Sequence, residues 1–133
     1  MAVKTDLTEL IQRMTPKLNS GTYVFVSVKD LNQIDRNDTL CEFKENDGTT
    51  VVLEKGKADL LKLNYNLVLS WISLMVHSSL EAVGFTAAVA GELQKYNISC
   101  NVIAGYHHDH IFIPVDTAET AMTVLTNLSK RHS

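Results

Sequence analysis

The stretch LVLSWISLMVHSSLEAVGFTAAV, residues 67–89, passes from an apolar run into a helical pattern through a short polar connection. Residues 67–76 are mostly apolar on both alternating faces, which predicts a central strand covered on at least one side. An apolar stripe at helical spacing then predicts a helix over about 84–96. Gly84 stands at the junction. A tight turn, close packing of helix on sheet, or a backbone that approaches a ligand would each favour a residue without Cβ there.

Downstream of this helix the pattern continues with two strands and another helix. Residues 98–104 and 110–114 predict strands around a turn at 105–109. Asp116 followed by Glu119 has the form of a capping box, so the last helix is predicted to begin there, with its end fraying from residue 129.

Upstream, the same order of elements is predicted once more, after a leading helix over 6–14 that Pro16 and the Asn19-Ser20-Gly21 turn bring to an end. The predicted elements are a strand at 23–28, a polar stretch at 29–38 with one short helical turn, a hairpin of strands at 40–45 and 49–53, and a short helix at 57–63.

Each half therefore has the pattern βαββα, one strand short of the ferredoxin-like βαββαβ unit. An open sheet edge is a liability that proteins cover, so we expect the two halves, or two chains, to share or pair sheets. The predicted fold class is an α+β, ferredoxin-like sandwich. We predict an N-terminal half with its leading helix at residues 1–66 and a C-terminal half at residues 67–133.

Composition argues against several classes of protein. The 133 residues carry a net charge of −3 and no basic patch free of acidic residues, which argues against a nucleic-acid partner. The longest apolar run is about half the length that a membrane span requires. Cys41 and Cys100 form no CxxC motif, and the start MAVKTDLTEL lacks an apolar signal region. We therefore expect a soluble, cytoplasmic protein with free thiols and no membrane partner.

Three strings resemble a known family: GTYVFVSV at 21–28, SSLEAVGFTAA at 78–88 and ISCNVIAGYHHDHIFIP at 98–114. They are similar to a small bacterial family of tandem ACT-like domains, which is related to the ACT modules of amino-acid sensors. The resemblance covers nearly the whole chain and is strongest over residues 68–115.

The resemblance implies ligand binding, because ACT domains typically bind small molecules, often amino acids, where two such domains meet. It implies contacts from the loop after the first strand and the start of the first helix, and from an acidic residue in the following hairpin. On this sequence these positions are Ser78, Ser79, Val83, Gly84, Phe85 and Asp109. The chemistry is compatible, because the N–H groups at a helix N-terminus suit a carboxylate and an aspartate suits an ammonium group.

The most chemically distinctive segment is His107-His108-Asp109-His110, with His77 at the end of the preceding strand. If His108, His110 and His77 converged, they would form the three-ligand zinc site of a metal-assisted enzyme. Alternatively, these side chains line the ligand pocket or form hydrogen bonds across an interface, and binding then depends on pH.

We predict a non-catalytic regulatory or sensing module that binds an amino acid, has no cofactor and no bound metal, and forms a homodimer or higher oligomer. The alternatives are an enzyme centred on the histidine cluster and a structural pairing module without ligand.

Overall fold

The computed structural model describes residues 6–132, which form two compact units. One unit, here called the discontinuous unit, comprises residues 6–20 and 70–132. The other, the continuous unit, comprises residues 21–69. In chain order the helices and strands are α1 (Leu7–Arg13), β1 (Thr15–Leu18), β2 (Tyr23–Val28), β3 (Thr39–Glu45), β4 (Gly48–Glu54), α2 (Lys55–Leu60), β5 (Leu69–Met75), α3 (Phe85–Gln94), β6 (Asn101–Ala104), β7 (Asp109–Pro114) and α4 (Ala118–Arg131).

The sheet of the discontinuous unit has the order β1-β5-β7-β6. Strand β1 pairs antiparallel with β5, from Thr15 opposite Met75 to Leu18 opposite Ile72. It thus takes the fourth-strand position that a βαββα pattern leaves open. The leading helix ends before Pro16, as predicted, but the strand over residues 15–18 was not predicted. A strand of four residues containing Pro16 is too short for its periodicity to be recognised, and only pairing with β5 makes it a strand.

The predicted leading helix is confirmed as α1, with Asp6 as its N-cap: the Asp6 carboxylate accepts a hydrogen bond from the Glu9 backbone N–H at 2.9 Å. Helix α1 packs in the discontinuous unit, together with α3 and α4. The division of the chain between residues 66 and 67 stays a prediction. The core of this unit consists of Leu10, Ile11, Met14, Ile72, Leu74, Phe85, Val89, Leu93, Ile98, Ile111, Ile113, Ala118, Ala121, Val124, Leu125 and Leu128.

Helix α4 differs from its prediction at both ends. It begins at Ala118 rather than at Asp116, after a 3-10 turn over Val115–Thr117, and no side chain caps it. The capping-box assignment was therefore wrong. Fraying from residue 129 was also wrong, because the helix continues to Arg131 and the Ser129 hydroxyl donates a hydrogen bond to the Gln12 carbonyl at 2.9 Å.

The continuous unit has the strand order β3-β4-β2, and the predicted hairpin is confirmed with Glu45 opposite Gly48. Its first connection contains no α-helix. Two 3-10 turns, Leu31–Gln33 and Arg36–Asp38, occupy that position. Each turn is preceded by an aspartate whose carboxylate accepts a hydrogen bond from the backbone N–H of the residue two positions later. The core of this unit consists of Val24, Val26, Val28, Ile34, Val51, Leu53 and Ala58.

Candidate functional site

The discontinuous unit contains a cavity of about 310 Å³ beside the end of β5. Two segments form its wall: the loop that follows β5 and the tip of the β6–β7 hairpin. The lining residues are His77, Ser78, Ser79, Leu80, Glu81, Tyr106 and His107. The cavity is large enough for a small polar molecule such as an amino acid.

A buried hydrogen bond ties the two walls of the cavity together. The Ser78 hydroxyl donates to Asp109 Oδ2 at 3.2 Å, and both residues are only 7% exposed. The Ser79 hydroxyl in turn accepts a hydrogen bond from the Glu81 N–H at 3.0 Å, which closes the next turn of the loop. The Ser78–Asp109 bond holds the loop against the hairpin, because buried polar groups are costly to leave unpaired.

The tip of the hairpin depends on Gly105. Its N–H donates to the His108 carbonyl at 3.0 Å, and a Cβ at Gly105 would lie only 2.5 Å from that oxygen. Glycine therefore permits the tight turn that presents Tyr106 and His107. The Tyr106 side chain is 80% exposed, and its ring lies edge-on to that of His107 with 5.1 Å between the centroids.

Three imidazoles cluster beside the cavity. The centroid of the His77 ring lies 5.0 Å from that of His108 and 6.4 Å from that of His107. The pKa of His108 is lowered, first by burial and then by repulsion from His77 and His107. The cluster therefore favours a neutral His108 at neutral pH.

His110 lies in a separate network on β7. Trp71 Nε1 donates to His110 Nδ1 at 3.0 Å, and the Ser73 hydroxyl lies 3.0 Å from the same nitrogen. Asn19 completes the network by donating to the Ser73 hydroxyl at 2.9 Å. Because Nδ1 accepts the indole proton, His110 is the neutral tautomer with its proton on Nε2, and burial lowers its pKa.

The convergence of His77, His108 and His110 that a zinc site would require is therefore not found. In the described range 6–132, no group of three His, Cys, Asp or Glu side chains is arranged to hold a metal ion.

The residues around Gly84 lie apart from the cavity lining. Gly84 is the N-cap of α3 with φ of +88°, a left-handed conformation that favours glycine. A Cβ there would lie 3.5 Å from a methyl group of Leu7 on α1. Val83 is 82% exposed and Phe85 is a core residue, 2% exposed. The structure thus divides the six predicted contact residues: Ser78 and Ser79 line the cavity, Asp109 bonds to Ser78, and Val83, Gly84 and Phe85 lie outside the lining.

Sequence reasoning did not identify Leu80, Glu81 and Tyr106, which also line the cavity. A tyrosine beside a histidine in a predicted turn was the available signal for Tyr106, since binding residues concentrate on loops. No sequence signal distinguishes Leu80 or Glu81.

Two further predictions concern the thiols and a membrane span. Cys41 and Cys100 are free and half-buried, and burial raises the pKa of Cys100 to about 11, which makes it a poor nucleophile. No helix within residues 6–132 is both long and apolar enough to span a membrane.

Two family models match this chain, each described as an ACT domain, one over residues 3–70 and the other over residues 67–127. A comparison with curated proteins finds no match. The two matches follow one another along the chain and account for the doubled order of strands and helices.

Solved structures show the same fold. A Vibrio cholerae protein of unknown function, described as a possible transport protein, is 43% identical, with a TM-score of 0.84 over 92% of this chain and 95% of that chain. The ligand-free regulatory subunit of aspartate kinase from Thermus thermophilus is 8% identical, with a TM-score of 0.62 over 85% of this chain and 95% of that chain. Aspartate kinase from Clostridium acetobutylicum is 10% identical, with a TM-score of 0.65 over 86% of this chain and 34% of that chain.

These matches confirm the expected α+β, ferredoxin-like fold and the resemblance stated from the sequence. The chain belongs to the ACT domain family, with two ACT domains in tandem.

Proposed function

We propose that this protein is a non-catalytic regulatory module that binds an amino acid in the cavity formed by the loop after β5 and the β6–β7 hairpin. The observation that carries the proposal is the cavity of about 310 Å³ lined by Ser78, Ser79, Glu81, Tyr106 and His107 with His77 and Leu80. Membership of the ACT family supports a regulatory role, and similarity in fold to the regulatory subunit of an aspartate kinase is consistent with it.

The lining offers partners for each part of a zwitterion. The Glu81 carboxylate suits an ammonium group, while the hydroxyls and imidazoles of Ser79 and His107 suit a carboxylate. Leu80 supplies an apolar contact. A few polar groups that converge on a partly apolar cavity are typical of small-molecule sites.

Asp109 acts in this proposal through Ser78. The sequence suggested that its carboxylate contacts the ligand ammonium, whereas its buried oxygen accepts the Ser78 hydroxyl. We infer that Asp109 fixes the position of Ser78 and leaves Glu81 as the carboxylate that meets the ligand.

The experiment is a thermal-shift screen of the purified protein against the twenty amino acids. A ligand that binds only the folded state stabilises it by RT ln(1 + [L]/Kd), so one amino acid at a hundred times its Kd adds about 2.7 kcal/mol. We expect one chemical class to raise the melting temperature in a concentration-dependent manner. The absence of a shift for all twenty at millimolar concentration would contradict the proposal.

A matched pair of variants locates the site. Ser79→Phe fills the cavity and should abolish the ligand-dependent shift. Ser99→Phe changes an exposed serine outside the lining and should retain that shift. Loss of the shift in both variants, or in neither, would move the site elsewhere.

The proposal also covers the oligomeric state of the protein and its location in the cell. We propose that the protein acts in the cytoplasm as a homodimer or larger oligomer whose association the amino acid changes. Light scattering with and without the amino acid found in the screen tests this, and an unchanged monomer in both conditions would contradict it.

A further inference from the structure

Strand β3 is the open edge of the continuous unit. Among residues 6–132, β4 is the one strand that pairs with β3, so the other side of β3 has no neighbouring strand there. An open edge offers its backbone N–H and C=O groups to a further strand, and a second copy of the chain can supply one. The Phe43 side chain in the middle of β3 is 72% exposed.

The regular part of β3 is symmetric about Phe43. The register with β4 shifts between Thr39 and Cys41, and the strand ends at Glu45, where the turn begins. Residues 41–45 therefore form the uninterrupted segment, and Phe43 is its middle residue. Two copies of this segment can pair antiparallel about a two-fold axis at Phe43, so that each contact occurs twice.

The backbone of β3 permits this register. Glu45 lies opposite Gly48 across a two-residue turn, and such a closing pair exchanges both of its backbone hydrogen bonds. The alternation along an antiparallel ladder then directs the backbone groups of Phe43 toward β4 and those of Glu42 and Lys44 toward the open edge. About an axis at Phe43, Glu42 of one copy lies opposite Lys44 of the other, and both present their edge-facing groups.

The charges on β3 favour the same register over its neighbours. About Phe43, two Glu42–Lys44 pairs of opposite charge flank a pair of aromatic rings, and cross-strand pairs of both kinds are stabilising. An axis at Glu42 or at Lys44 would instead place like charges directly opposite each other, which is destabilising. Among the described residues, Glu42 is bonded through Oε2, to Arg36 and Thr39, so Oε1 is available to the second copy.

This inference rests on the oligomer of the proposed function and names its interface. We propose that two copies of the chain associate through antiparallel pairing of their β3 strands, with Phe43 opposite Phe43 and Glu42 opposite Lys44. The pairing satisfies the edge-facing backbone groups of both copies and covers the exposed Phe43 rings. The charges of Glu42 and Lys44 select this register because they oppose the adjacent ones.

Exchange of charges tests the register. Glu42→Lys and Lys44→Glu each place like charges opposite each other, so each variant alone should dimerise with a Kd roughly tenfold or more above that of wild type in analytical ultracentrifugation. An equimolar mixture of the two should form a heterodimer with wild-type affinity, because every cross-copy pair is then of opposite charge. Lys17→Glu makes the same change on the edge strand β1 and should leave association unchanged. A mixture that stays dissociated would overturn the inference.

A cross-link tests the same register with both charges in place, and it decides the question if a charge variant fails to fold. With Cys41 and Cys100 replaced by serine, Phe43→Cys should form a disulfide-linked dimer under mild oxidation. Opposite residues of a non-hydrogen-bonded pair have Cα atoms about 4.5 Å apart, within the range of a disulfide. Glu45→Cys is the control, because it lies on the same face of β3 but its two copies would be roughly 13 Å apart. Equal cross-linking at both positions, or none at Phe43, would overturn the inference.

The two proposals fail in different ways. If light scattering finds a monomer, the oligomer of the proposed function and this interface are both overturned, while the thermal-shift screen alone decides amino-acid binding in the cavity. If light scattering finds a dimer that neither cross-links at Phe43 nor responds to the exchange of charges, the interface is overturned and the proposed function stands.

Discussion

Each unit contains a strand, a connection, a hairpin of two strands and a helix in that order, but the two units differ in the connection that follows this first strand. In the discontinuous unit a loop from His77 leads into the ten-residue helix α3. In the continuous unit the corresponding segment forms two 3-10 turns of three residues each. A cavity lies beside the loop that precedes the full helix. The corresponding segment of the continuous unit contributes Ile34 to a smaller core.

The two units also differ in the size of their hydrophobic cores. Among the described residues, the discontinuous unit buries sixteen apolar side chains in one cluster and the continuous unit seven. Since burial of apolar surface is the main favourable contribution to folding, most of the stability should reside in the discontinuous unit. Four changes to the sequence test this comparison, and they follow in order of decreasing expected effect.

The largest effect is expected from removing residues 1–20. This deletes β1 and takes Leu10, Ile11 and Met14 out of the core, where each is at most 4% exposed. Each such side chain contributes about 1.5–3 kcal/mol, and the sum approaches the whole stability of a typical domain. We expect the discontinuous unit to lose its cooperative unfolding transition in circular dichroism. Thr8→Ala, an exposed change in α1, should leave the transition in place. A native-like transition after truncation would show that β1 and α1 are dispensable.

A smaller loss is expected from Glu92→Gln on α3. The Glu92 carboxylate accepts hydrogen bonds from Arg131 at 2.7 Å and Lys95 at 3.0 Å, and the hydrogen bond from Arg131 lowers its pKa most. Removing the charge should lower the free energy of unfolding at pH 7 by about 1–3 kcal/mol, measured by urea denaturation.

The pH dependence of that loss follows from the lowered pKa of Glu92. The stabilising contribution is complete above the pKa of the unfolded state and is lost as pH falls through the lower pKa of the folded state. The difference between wild type and Glu92→Gln should therefore shrink in acid. Glu42→Gln in the continuous unit, whose partner Arg36 is exposed, should have a smaller effect at pH 7. A larger effect at Glu42 would reverse the comparison of the units.

Gly84→Ala should cost less again. The left-handed φ of +88° is strained for alanine by ~1–2 kcal/mol, while the added Cβ meets Leu7 at an ordinary 3.5 Å. Because Gly84 lies outside the cavity lining, the ligand-dependent thermal shift should persist in this variant. Loss of that shift with the fold intact would place the site at the start of α3 instead.

The smallest effects are expected from alanine at the two helical glycines with open space around them. Gly91 lies inside α3 and Gly56 inside α2, and a Cβ at either meets nothing within 4 Å. Each substitution should raise the free energy of unfolding by up to ~1 kcal/mol, because glycine disfavours helix. We expect the larger gain at Gly91, in the longer helix. A loss of stability at Gly91 would show that α3 is packed more tightly there than the structure indicates.

Local patterns predicted most of the elements because each pattern is carried by consecutive residues. The strand over 23–28 and the hairpin around Asn46–Gly48 were predicted with nearly their final bounds. The start of α4 was not, because the Thr117 hydroxyl donates to the Pro114 carbonyl and the helix begins after a 3-10 turn.

Some of the residues predicted for the candidate site line the cavity and others do not. Ser78 and Ser79 of the loop and His107 of the hairpin are among the lining residues. The family resemblance implied Gly84 and Phe85 as contacts too, because ACT ligands typically meet the start of the first helix. The direction of each side chain separates the two groups, and that direction depends on packing against α1 and the core.

Periodicity and turn chemistry are local, so the sequence was enough to predict the α+β class, the doubled order of elements and the segments that carry polar side chains. Contacts between distant segments make residues 15–18 the fourth strand, pair His110 with Trp71 instead of His77, and bond Ser78 to Asp109. These three outcomes join residues at least 31 positions apart. Such pairings depend on which surfaces meet after the chain folds, and no local pattern encodes them.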